Sequence, residues 1–259
     1  MNDTRAFDRQ GILMIAGCVL ALGLVGGLVL WVQARTPQLD PVTLQAVGKP
    51  VTGEVAVLLD VTDPLSPTAL TAVTQWLHGL ELGLVPNERL TLWVLGTGAD
   101  GVLQRAFARC YPGRVTDRLF HNPEASTAQC DSLFSRPLRE AVISAAAAPH
   151  FPRSPILEAV REISSQPEFG EGRRRQIVLI SDLFENTPAL DFYHSVPSCR
   201  AFEHSPHGRD LRADLRGVTA DVLYLPRGPG ADELDPRLVQ FWRGYLGFCG
   251  AGPVRLRRI

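Results

Sequence analysis

Val55-Ala-Val-Leu-Leu59-Asp60 and Ile177-Val-Leu-Ile-Ser181-Asp182 are two short apolar runs, each closed by a carboxylate. Continuous aliphatic runs of this length, without polar alternation, predict strands buried on both faces. Outward from them the period changes. Residues 67–82 carry Leu70, Val73, Leu77 and Leu80 at helical spacing behind Ser66. Leu90-Thr-Leu-Trp-Val-Leu95 reads as another strand, and 102–108 as the next, reached through Gly96-Thr-Gly-Ala-Asp-Gly101. The stretch 110–133, with its Tyr-Pro-Gly and His-Asn-Pro, reads as a loop. Helices are expected over 137–147, over 155–164 with Ser154 as cap and Pro155 in the first turn, and over 236–248. Strands are expected over 222–225 and 254–257. Strands separated by helices mean βαβ units, hence an α/β domain with a doubly wound, Rossmann-like, mostly parallel sheet covered on both faces.

The bulk properties agree with one such domain plus an appendage. The chain has 259 residues, 45% hydrophobic and 20% charged, which excludes disorder and low-complexity material. Lys plus Arg is 26 and Asp plus Glu is 27, so the basic excess that sequence-independent nucleic-acid binding needs is missing.

The appendage is the segment 11–33, without a charged residue. Its 22-residue core from Gly11 to Val32 would make a helix of about 33 Å at about 1.5 Å per residue, enough to cross a bilayer core of about 30 Å. Trp31 stands at the far end, where an indole favours the interface. Arg5, Arg9 and the start amine precede the span and Arg35 follows it, so the positive-inside rule puts the N-terminus in the cytoplasm and the domain outside it, in the periplasm of a bacterial-type envelope. A cleaved signal peptide is the rival, with Val32-Gln33-Ala34 as a cleavage-like pattern, but the apolar stretch exceeds a signal core of about 7–15 residues. Gly23 and Gly27, four apart, would let a second helix approach. The expected organisation is a short segment 1–10, a membrane helix 11–33, a linker 34–51 and the α/β domain 52–259.

Cys18 falls in the apolar segment, leaving Cys110, Cys130, Cys199 and Cys249, with no Cys-x-x-Cys pair. In an oxidising compartment the expected bridges are Cys110 to Cys130 and Cys199 to Cys249; in the cytoplasm the same four would be buried thiols.

Ligands of an open α/β sheet bind beyond the carboxyl ends of its strands. Asp60 and Asp182 are at two such ends. Asp60-Val-Thr-Asp-Pro-Leu-Ser66 and Arg153-Ser154-Pro155 add further carboxylate and hydroxyl oxygens, a hard set suited to Mg²⁺ or Mn²⁺. In these residues the chain resembles the von Willebrand factor A domain over about residues 52–257. That family has a Rossmann-like sheet with a metal-ion-dependent adhesion site built from Asp-x-Ser-x-Ser, a Thr loop and a Thr-Asp-Gly-like turn. Asp60 and Thr62 match its first two oxygen positions, Ser154 the Thr loop, and Ile180-Ser181-Asp182 the last element. Pro64 stands where the family has a hydroxyl, leaving Asp63 or Ser66 as substitutes, and Leu183-Phe184 replaces the glycine turn. The resemblance implies a site whose cation is completed by a carboxylate of a partner protein.

Weaker signals are set aside. Gly96-x-Gly98-x-x-Gly101 matches a dinucleotide fingerprint, but an extended segment rather than a helix follows it. His204 and His207 read as solvated, and Arg173-Arg174-Arg175 as an exposed turn. The resulting expectation is a membrane-anchored, non-enzymatic protein-binding module of an envelope-associated complex. The alternatives are a metal-dependent, phosphoesterase-like hydrolase on the same acidic edge, for which the chain offers a single lysine (Lys49, in the linker), or a purely structural domain.

Overall fold

The computed structural model describes residues 3–35, 38–96, 103–113, 123–149, 151–170, 172–226 and 234–259, and the side chains of the first helix without a break only from 13 to 28. In chain order the elements are α1 (Asp3–Arg35), β1 (Gly53–Asp60), α2 (Pro67–Leu82), β2 (Glu88–Leu95), β3 (Gln104–Cys110), α3 (Pro123–Cys130), α4 (Arg136–Ala146), α5 (Ile156–Ser165), β4 (Arg174–Ser181), α6 (Cys199–Glu203), α7 (Pro206–Asp210), β5 (Val218–Tyr224), α8 (Pro236–Phe248) and β6 (Val254–Arg258).

The six strands form one sheet in the order β3-β2-β1-β4-β5-β6. Only the β2–β3 pairing is antiparallel. This is the doubly wound sheet expected, and its strand order reverses between β1 and β4, the switch point where such sheets bind ligands. Every residue of β1 is buried because helices cover both faces. Ala56 and Leu58 pack towards α5 and α8, whereas Val55, Val57 and Leu59 pack towards α2 and α4. Successive side chains of a strand point to opposite faces, so the unbroken apolar run feeds two cores at once.

Several local expectations are corrected. The stretch read as a loop is helical from Pro123: α3 and α4 are joined by a π-helical segment, Asp131–Ser135, whose Ser135 hydroxyl donates to Glu81 of α2 at 2.6 Å. Residues 114–122 lie outside the described residues. α6 and α7 were not expected, and β5 starts at Val218 rather than 222.

Most of the expected linker is folded onto the domain. Leu39 bridges Ala46, Asp40 Oδ1 accepts from the backbone N–H groups of Val42 and Thr43, and Leu44 and Ala46 are buried. Thr43 O accepts from Cys110 N at 2.7 Å. Asn87, in the left-handed region at φ 64°, accepts from Ala46 N at 2.8 Å and donates to Pro50 O at 2.7 Å. The clasp 38–50 thus closes on the amino ends of the parallel strands, opposite the edge that carries Asp60.

α1 runs 33 residues, and its described side chains are exposed. Among the described residues no helix is long and apolar enough to cross a membrane. Nothing lies within 4 Å of where a Cβ would sit on Gly23 or Gly27.

Cys110, Cys130, Cys199 and Cys249 are free thiols in this structure, as is Cys18. The Cys199 thiol donates to Glu203 Oε1 at 3.1 Å, and burial, with that carboxylate beside it, pushes its pKa up to about 12. Burial raises Cys249 as well. Cys110 and Cys130 are both buried, Cys130 in the same apolar core as Phe134.

Candidate functional site

Parallel pairing sets Leu59 beside Ile180, so the next residues, Asp60 and Ser181, emerge side by side at the switch point. Ser181 donates to Asp60 Oδ2 at 2.6 Å. Ser154, from the loop entering α5, donates to the same oxygen at 3.2 Å. Thr62 folds back onto Oδ1 through its backbone N–H at 3.1 Å and its hydroxyl at 2.7 Å. One fully buried carboxylate therefore accepts from three loops. Desolvating it is tolerable because a carboxylate has about four acceptor positions and these four donors match that number.

Asp182 sits beside this group and is 6% exposed; its Oδ1 accepts from Phe184 N at 3.2 Å. The following residue, Leu183, has φ 69°, the left-handed conformation that favours glycine. The turn thus takes a backbone that favours glycine while carrying a leucine. It is held by Leu183 N on Ser181 Oγ at 2.8 Å, by the Trp242 indole N–H on Leu183 O at 2.9 Å, and by a completely buried side chain. Gly96 serves the site from β2: a Cβ there would meet Thr62 backbone atoms at 2.9 Å, and its φ is 103°. The rest of the glycine-rich stretch, 97–102, lies outside the described residues.

Of the six expected site residues, Asp60, Thr62, Ser154 and Asp182 are brought together. Asp63 and Ser66 are exposed, and Ser66 spends its hydroxyl as N-cap of α2, accepting from Ala69 N at 3.1 Å. Ser154 does not cap α5 as expected, since its hydroxyl serves Asp60. That cap comes from Glu185, whose Oε2 accepts from Leu157 N at 2.9 Å. Glu185 is the residue that sequence reasoning missed. It is wholly buried, Oε1 has no hydrogen-bond partner, and burial, reinforced by the charges of Glu158 and Asp60, pushes its carboxyl up to about 8 against the helix N–H groups. Burial thus favours its neutral form. Reciprocal backbone bonds between Ser154 and Asn186 fasten the two loops beside it.

The cluster is chemically a hard-oxygen set of two carboxylates and three hydroxyls. Among the described residues no three His, Cys, Asp or Glu side chains gather to hold a metal ion. Hydroxyls that give their protons to Asp60 still have lone pairs for a cation.

No protein-family model matches the chain, and no curated protein matches it. Solved structures similar to it include an aerotolerance-related membrane protein from Bacteroides fragilis (13% identity, 79% of this chain and 90% of that one, TM-score 0.37). Others are a von Willebrand factor type A protein from Catenulispora acidiphila (15%, 80% of this chain, TM-score 0.42) and a variant of the PilB minor pilin from Streptococcus sanguinis (7%, 83% of this chain, TM-score 0.45). The chain spans 38% and 59% of the latter two. The fold assignment rests on strand order and register, not on these likenesses.

Proposed function

We propose that the chain is a membrane-anchored, non-enzymatic protein-binding module of the von Willebrand A type, acting in an assembly at a bacterial-type envelope. The observation that carries the reading is Asp60, which draws hydroxyls from three loops to the switch point of the sheet. This arrangement orients oxygens towards a ligand. Each of the three hydroxyls donates to a buried carboxylate rather than to a histidine.

Thr62, Ser154 and Asp182 are the residues that would hold Mg²⁺ or Mn²⁺, with Asp60 aligning the hydroxyls. Pro64 offers no oxygen from its side chain, so water would fill its position, as Mg²⁺ commonly allows. The bound cation would supply a Lewis-acid position for a partner's carboxylate. The uncharged segment 11–33 and the arginines before it support a single-pass anchor in the inner membrane with the domain in the periplasm.

The test is a detergent pull-down of the full-length chain beside Ser154→Ala/Asp182→Ala, with Ser66→Ala as control. Expected is a co-purifying partner lost only in the double variant, and a rise in melting temperature with Mg²⁺ or Mn²⁺ that the double variant lacks. A partner retained by the double variant would move binding away from this edge.

A further inference from the structure

We propose that the amino edge of the sheet is a docking surface for anionic phospholipid headgroups, holding the domain upright over its own anchor. The inference rests on the membrane reading above and adds a second contact to it. Covalent geometry supplies the first argument. The clasp fixes Gln38 to the domain through Val47 N on Gln38 O at 2.8 Å. Between Gln38 and the end of α1 at Arg35 there are three Cα steps, at most about 11 Å. An anchored chain therefore has its clasped edge within reach of the lipid surface, and the Asp60 cluster is a strand's length away, roughly 26 Å for eight residues.

Charge supplies the second. Exposed Lys49, Arg173, Arg174, Arg212 and Arg216 all belong to the segments that enter β1, β4 and β5, and half-buried Arg175 joins them. Their closeness is fixed by backbone: Arg173 N donates to Thr52 O at 3.2 Å, Gly53 pairs with Arg174, and Arg175 donates to Arg216 O at 2.7 Å. Acids stand among them: Asp40 lies in the clasp, Glu168 before β4 at 3.3 Å from Arg105, and Asp210 at the end of α7. Glu88 faces Arg174 at 3.4 Å and is fully buried, while Asp214 pairs with Arg216 at 2.7 Å. Glu54 is matched separately by Arg89, and Glu171 lies outside the described residues. Among the described residues of these segments the exposed cations outnumber the exposed acids, next to the point where an apolar helix joins. Cations so placed are attracted to an anionic surface within a Debye length, about 8 Å at physiological salt.

Lys49, the single lysine, gives a site for an amine-reactive fluorophore. The full chain carrying it is reconstituted in phosphatidylcholine vesicles with and without phosphatidylglycerol, using headgroup nitroxide lipids as quencher. Expected is quenching at least twofold stronger with phosphatidylglycerol, reduced to the neutral-lipid level by high salt or by Arg173→Glu/Arg212→Glu/Arg216→Glu. Equal quenching in both vesicles, unmoved by charge reversal, would overturn the docking surface. Extraction by alkaline carbonate addresses the anchor separately. Release of the protein would overturn the membrane span whatever the quenching shows, and retention with charge-independent quenching would leave the anchor and remove the docking surface.

Discussion

The two edges of one sheet handle charge in opposite ways. At the carboxyl edge, acids are drawn inside: Asp60 is satisfied by hydroxyls and an amide, and Glu185 is held neutral by burial. At the amino edge the buried acids Glu54 and Glu88 are instead matched by Arg89 and Arg174, and the other cations stay on the solvated loops that enter β4 and β5. A buried acid must be organised by its neighbours, so the first edge is a single linked structure. The second edge is modular, because surface charges tolerate individual loss.

The largest break in that contrast is expected from Asp60→Ala. It strands three hydroxyls and the Thr62 N–H in a buried place, so a loss of about 3–5 kcal/mol is expected in urea unfolding. By comparison, Arg173→Ala should change stability by less than about 0.5 kcal/mol. Similar losses from the two variants would mean that the carboxyl edge is not a linked unit.

Glu185→Gln sharpens the comparison through pH. The folded pKa of this acid is raised, so between about pH 4.5 and 8 the unfolded chain has lost the proton that the folded chain keeps. Fewer protons on the unfolded state mean that stability falls as pH rises through this window, by up to roughly 1.4 kcal/mol per pH unit, and levels off above about 8. Glutamine retains the acceptor for Leu157 N and cannot ionise, so the fall should shrink and the variant should gain over the wild type as pH rises. Parallel melting-temperature profiles from pH 5 to 8 would defeat the assignment.

An effect smaller than that of Asp60→Ala is placed at the clasp. Asn87→Ala removes both side-chain bonds to the segment 38–50 and puts an alanine at φ 64°, for about 1–3 kcal/mol. Limited proteolysis near Val42 should accelerate while the Asp60 cluster is unchanged. A chain as resistant as wild type would show that the clasp is held elsewhere.

How much of this could be read in advance follows from range. The aliphatic runs ending at Asp60 and Ser181-Asp182 declare their own strands, and the alternation of strands and helices declares the doubly wound sheet. Four of the six expected site residues come together because strand ends and the loop before α5 are local features. Ser181 was in view as part of the last motif, but its bond to Asp60 depends on the register of two strands 121 residues apart. Glu185 carries no local mark, being one acid in a loop until α5 is laid across it. The clasp reads as a linker because three prolines and no periodicity describe a short bridged turn equally well. The π-helical link before α4 has no sequence period of its own, and Ser135 at its end is explained only by Glu81 on a distant helix.

One contact of the Leu183 turn has an optical consequence. The Trp242 indole is wholly buried and its N–H ends on the carbonyl of a residue adjacent to Asp182. Its emission is accordingly a built-in gauge of that turn. With Trp31, Trp76 and Trp93 replaced by phenylalanine, a partner that rearranges Leu183 will change the wavelength of Trp242 fluorescence, and one that docks without disturbing it will not.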